Sequence, residues 1–219
     1  MRSAFFTILF LILSPACFAQ AVSDQKEAER IYKQAKEDDR ISRLYFAETE
    51  KCRTLLKMRS YADAEVSCGK AVKLAEQFPA GRNLEKSTAY EYHGIAQLNQ
   101  NRPEEALVDF DKARIAGKLP ENDADLGDNY FLTAQAHYLA HRPDKAREFL
   151  NKAESTIRAA FVEIDNDEIR WPYPKRIKKI LETHIALLKN EGLTAEAAKM
   201  ESRRDEFVKE FAKYLNEEN

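Results

Sequence analysis

From Gln20 to the end of the chain, apolar residues return every three or four positions, and they never alternate with polar ones over a strand's length. That spacing predicts amphipathic helices, each with one apolar face. The stretches "AYEYHGIAQLNQ" and "PEEALVDFDKARIA" are two of them, with a turn of a few residues between. Glycine and proline fall between the periodic stretches, near "FPAG", "RP", "LP", "RP", "WPYP" and "EGL", where they punctuate the chain. Short connections make consecutive helices antiparallel hairpins. The expected class is all-α.

One stretch is written twice. "NRPEEALVDFDKA" (101–113) and "HRPDKAREFLNKA" (141–153) share Arg-Pro, an alanine three residues after the proline, and a closing Lys-Ala. Proline suits the first position of a helix, where its missing N–H would have had no partner. The acids that follow, Glu104 and Glu105 or Asp144, suit the positive end of the helix dipole. Ala106 and Ala146 are small enough to let two helices approach closely. Each "RP[ED]xA" therefore opens the second helix of a hairpin.

The repeated unit resembles the tetratricopeptide repeat, a helix–turn–helix unit of about 34 residues. Its second-helix signature is met by Ala106, Phe110 and Ala113, with Pro120 beyond, and its first-helix signature by Tyr90 and Gly94. Tyr130, Ala134, Ala146, Leu150 and Ala153 hold the corresponding places one unit on, and Cys52, Ala64, Cys68 and Ala71 those of a weaker earlier unit. The units lie 42 and 40 residues apart, and His93, Gln97, Thr133, His137 and Glu48 depart from the pattern. The resemblance implies a right-handed α-solenoid of stacked antiparallel hairpins, with three units over 45–160. Residues 20–44 would form an N-terminal helix with Ala28, Ile31 and Ala35 on one face. Residues 161–219 would form a linker and capping helices turning at Gly192. There Ala197 suggests a degenerate fourth unit, and Phe207, Phe211 and Tyr214 supply the inner face.

In this family the first helix of each unit lines a groove that binds peptides or partner domains. Carried over, the groove would comprise Arg53 and Lys57, then Glu91, Ile95, Leu98 and Asn99, then Phe131, Gln135 and Tyr138. Core packing is the competing account of Ile95, Leu98 and Tyr138.

Residues 1–19 read differently. Arg2 precedes the apolar run "AFFTILFLIL", and "SPACFA" follows, the layout of a secretory signal peptide cleaved after Ala19. Cys17 offers an alternative, the acylated cysteine of a bacterial lipoprotein, although Ser14 stands where that pattern has leucine. Removing Arg2 leaves 34 Lys and Arg against 37 Asp and Glu. The two signs are interspersed, with no basic block of the kind that binds nucleic acid. "PKRIKK" (174–179) reads as the exposed face of a helix. Beyond residue 20 nothing is apolar and long enough to span a membrane.

Cys52 and Cys68 lie equally far from Ser60, in the first hairpin turn, and the resemblance to the repeat implies that both face inward. In an oxidising compartment they would form a disulfide; two small buried thiols are the alternative. His137 and His141 are four apart on one helix, a metal-compatible spacing, but Tyr138 stands where a catalytic glutamate would, and no third ligand is evident. Trp171 and Tyr173 sit in "WPYP", where Pro172 and Pro174 suggest an extended linker packed onto the solenoid or an exposed anchor. No nucleotide loop or nucleophile–base pair stands out, and no cofactor or metal is implied. The expectation is an exported, periplasmic, non-catalytic scaffold or adaptor in the bacterial cell envelope that holds a protein or peptide partner. A lipid-anchored accessory factor of an outer-membrane or secretion complex is the alternative, and a helical hydrolase or metal enzyme a third reading.

Overall fold

The computed structural model describes residues 15–163 and 172–215, with side chains from residue 25 onward. Among the described residues every regular element is a helix. They are α1 (Pro15–Lys57), α2 (Tyr61–Ala75), α3 (Asn83–Asn99), α4 (Pro103–Gly117), α5 (Ala124–Leu139), α6 (Pro143–Glu163), α7 (Pro172–Asn190), α8 (Thr194–Glu210) and the single turn α9 (Ala212–Leu215). Consecutive helices pack into hairpins, α1 with α2, α3 with α4, α5 with α6 and α7 with α8, and each hairpin packs on the next.

All four hairpin turns are built alike. Arg59, Asn101, His141 and Gly192 each adopt left-handed backbone, with φ of 60°, 60°, 56° and 76°. In each turn that residue's N–H reaches back three residues, and the next N–H reaches back five. His141 N–H donates to the Tyr138 carbonyl and Arg142 N–H to that of His137; Gly192 and Leu193 donate to Lys189 and Leu188 in the same way. This pair of hydrogen bonds is the Schellman closure of a helix C-terminus. Five residues past each left-handed position comes an alanine, Ala64, Ala106, Ala146 or Ala197, none more than 1% exposed. α7 and α8 therefore repeat the geometry of the three hairpins before them.

The core is a row of small clusters along the stack. Ile41 and Tyr45 of α1 pack with Ala71, Ala75, Phe78 and Ala89. Cys52, Ala64, Cys68 and Ala96 form the next cluster, Leu98, Ala106, Phe110 and Ala136 the third. A larger one joins α5 and α6 to α7 and α8 through Leu150, Ile157, Ile177, Leu181 and Phe207. Phe211 packs against this last cluster and Tyr214 is buried. The Cys52 and Cys68 sulfurs are joined in a disulfide between α1 and α2, their Cα atoms 5.2 Å apart.

Polar links cross the hairpin boundaries. Arg102, just before α4, reaches back to Glu65 of α2 at 2.7 Å. Arg142, its counterpart before α6, reaches back to Glu104 of α4 at 2.5 Å. At the third boundary the polarity reverses: Arg147 of α6 pairs with Glu191 in the last turn. The repeated Arg-Pro thus supplies two functions, a proline to start the helix and an arginine to grip the preceding hairpin.

Three features differ from the sequence reading. α1 is one unbroken helix, so the charged segment and the first unit's opening helix are continuous, as expected where no glycine or proline intervenes between residues 20 and 57. From residue 25 to 40 none of its side chains is buried. Ile31 is 57% exposed, and pairs such as Arg30–Glu27 and Lys33–Glu29 run along the helix. Pro172 and Pro174 do not hold an extended linker; both lie in the first turn of α7, where a missing N–H costs nothing. Tyr173 packs against the larger cluster. Trp171 lies outside the described residues, as does the apolar run of the signal-peptide reading.

Candidate partner-binding groove

The opening helices α3, α5 and α7 run side by side in the same direction. Asp128 meets Arg176 at 3.0 Å, the Lys179 ammonium lies 5.3 Å from the centre of the Phe131 ring, and Asn190 Nδ2 donates to the Tyr138 hydroxyl at 2.8 Å. Between these helices lie two adjoining cavities. One, of about 340 Å³, is lined by Glu91 and Ile95 from α3, Asp128, Phe131 and Gln135 from α5, and Arg176, Lys179 and Ile180 from α7. The other, of about 330 Å³, has a floor of Leu98, Ala134, Leu150 and Leu187 and a rim of Asn99, Gln135, Tyr138 and Asn190. Gln135 belongs to both.

Seven of the nine residues assigned to the groove from sequence line these cavities: Glu91, Ile95, Leu98, Asn99, Phe131, Gln135 and Tyr138. Their roles differ. Phe131 and Leu98, each 7% exposed, belong to the hydrophobic clusters and form floor rather than contact surface. Asn99 and Tyr138 stand exposed at the rim. Arg53 and Lys57 are exposed on α1 but line neither cavity, and Arg53 pairs with Glu50 at 2.5 Å.

The α7 wall was not assigned to the groove from sequence. Arg176 and Lys179, read there as an exposed basic face, border the first cavity, and Thr183, Ala186, Leu187 and Asn190 border the second. The available signal was Ala197: a helix that precedes such an alanine by a hairpin turn holds the groove position of its unit.

The electrostatics of the first cavity are uneven. Glu91 is partly buried, and that burial, with Asp128 and Asp125 nearby, pushes its carboxyl up to about 7, Arg176 opposing. Asp128 is raised by burial, against the pull of Arg176. Among the described residues Asp128 has Arg176 as an ion-pair partner, whereas the Glu91 carboxyl makes no hydrogen bond or ion pair.

The histidines are spread apart. His137 is buried with its ring 5.3 Å from that of Phe149, and burial lowers its pKa; His141 sits in the turn. His93 Nδ1 lies 2.6 Å from Asp109 Oδ2 inside the second hairpin. His184 is buried in α7. A further cavity of about 510 Å³ lies between α4 and α6, where Glu104 and Asp111 are engaged by Arg142 and Arg114. Among the described residues no group of three His, Cys, Asp or Glu side chains is arranged to hold a metal, and no helix is long and apolar enough to cross a membrane.

No family model matches the chain, and neither does any curated protein. Among solved structures it is similar to a crystal structure from Podosopora anserina described as a kinesin light chain with nearly identical TPR-like repeats. The identity is 10%, the match covers 79% of this chain and 98% of that one, and the TM-score is 0.49.

Proposed function

We propose that this chain is a non-catalytic protein-interaction scaffold that holds a peptide segment of a partner in the groove between α3, α5 and α7. The observation that carries this reading is the pair of adjoining cavities. Each has apolar floor residues fixed in the core and polar rim residues without a core role, and they are contiguous through Gln135. Ligand sites are concave and mostly apolar, with a few placed polar groups. The working location is the bacterial periplasm. The disulfide supports an oxidising compartment, and the apolar run at the start of the sequence supports export.

The test is in-cell cross-linking of a C-terminally tagged chain beside an Ala186→Arg variant. Ala186 is exposed on α7 and borders the second cavity, so an arginine there obstructs the groove without entering the core. One or two envelope proteins captured by the parent chain and lost from the variant would support the reading. Capture that survives the obstruction would move the binding surface elsewhere.

A further inference from the structure

The groove reading leaves its occupant open, and the inference that follows rests on that reading. Of the four charges lining the first cavity, two pair with each other and a third lies over an aromatic ring. Arg176 is engaged by Asp128 and Lys179 lies on the Phe131 ring. Glu91 is left over, a groove-facing carboxyl with no cation of its own. Seven residues of α7 separate the walls of the two cavities, Arg176 and Ile180 bordering one and Thr183 and Leu187 the other. At 1.5 Å rise per residue this is about 10 Å. A chain in the extended polyproline-II form advances about 3.1 Å per residue with three residues per turn, so side chains three residues apart share a face and reach both cavities.

We propose that the groove takes an extended segment that presents a lysine or arginine to Glu91 and, three residues away, a large aliphatic side chain to the cavity floored by Leu98, Leu150 and Leu187. Gln135 lies between the two positions and can both donate to and accept from the segment's backbone. An acidic residue facing Glu91 is disfavoured, because it would meet that carboxyl with Asp128 and Asp125 beside it, Arg176 being paired with Asp128.

The arrangement couples binding to pH. Asp125 and Asp128 of α5 and Arg176 of α7 face Glu91. Arg114 of α4 borders the adjoining hollow but is held by Asp111. Tyr92, next in sequence, is influenced by Arg53 and Glu50 of α1. Burial first, and then the two aspartates, outweigh Arg176, so Glu91 ionises late, and a cationic segment binds more tightly once it has.

The experiment uses the full chain and three fluorescent synthetic peptides in a Gly/Ser host: Lys-Ser-Ser-Leu, Glu-Ser-Ser-Leu and Lys-Ser-Ser-Ser. Anisotropy titration at pH 8 is expected to show the first binding about tenfold more tightly than either other, the scale of one charge-assisted contact. The gap to the glutamate peptide should narrow at pH 6 and in Glu91→Gln. Equal binding of the lysine and glutamate peptides, or no binding by any, overturns the proposal. If all three bind equally and Ala186→Arg abolishes it, the groove reading stands and only the cationic occupant falls. Binding that persists in Ala186→Arg removes both.

Discussion

Gly94 and Phe110 face each other across the second hairpin so closely that a Cβ on Gly94 would fall 2.7 Å from Phe110 Cε1 and 3.3 Å from the Ala106 carbonyl. The contact sets the separation of α3 and α4. Gly94→Ala is therefore expected to destabilise the protein by about 1–3 kcal/mol, the usual cost of overpacking a core, seen as a lower urea midpoint. Phe110→Leu in the same chain should recover part of the loss. A neutral Gly94→Ala would mean the hairpin can open at no cost.

The four equivalent turns allow an internal comparison. Gly192 meets the left-handed requirement naturally and Asn101 tolerates it, whereas Arg59 and His141 carry a Cβ into a region that disfavours one. Arg59→Gly and His141→Gly should each stabilise by about 0.5–1 kcal/mol, since the strain relieved exceeds the added freedom of the unfolded chain. Asn101→Gly should give less. Thermal or urea unfolding of the three variants would rank them.

The Cys52–Cys68 disulfide closes a loop of sequence separation 16, worth about 3 kcal/mol in the chain-entropy model. Non-reducing peptide mapping should recover the two cysteines in one linked fragment. Unfolding under a reductant should occur at lower urea, with a loss of stability of about that size. A chain equally stable with and without reductant would make the pair a filler of small slots rather than a staple.

Stability should also depend on pH through Glu91. Its carboxyl is pushed up to about 7 from an ordinary 4.5, so between those values the folded form keeps a proton that the unfolded chain has released. Stability then falls as the pH rises through that window. Asp128, raised by burial, acts in the same sense. His137 and His184, lowered by burial, act oppositely: below about pH 6.5 the unfolded chain takes up protons first, and stability is lost toward acid. Glu91→Gln isolates one contribution. Its urea midpoint should gain on the parent from pH 4.5 to 7 and hold that gain above, on the order of 1–3 kcal/mol. A difference that does not vary with pH would show Glu91 to be well solvated.

The helices and their hairpin order were legible in the sequence because both are written locally, in three-to-four-residue periodicity and in the register of Arg-Pro and alanine. The groove was legible in part. Glu91, Ile95 and Gln135 follow from the helix face that the repeat assigns, yet the same face also carries Phe131 and Leu98 into the core, and periodicity alone does not separate floor from rim. The α7 wall was obscured by Pro172 and Pro174, which disfavour helix in the residue before them but are accommodated in a first turn. Gly127 was passed over because the repeat drew attention to Ala134, although a Cβ at Gly127 would collide with Ile157 Cγ1. Pairs such as Arg102 with Glu65, 37 residues apart, exist only once the hairpins have stacked.

Each hairpin touches chiefly its neighbours, and this gives the protein a definite response to tension. Pulled from its two ends, the stack has, among the described residues, no long-range seam that must tear at once, so it would lengthen hairpin by hairpin. The first hairpin is the exception. Force arriving along α1 passes from Cys52 to Cys68 through the sulfur bridge, and the residues between them are shielded from the load. A load applied along α1 would pull against a chain whose opening hairpin cannot be fully drawn out.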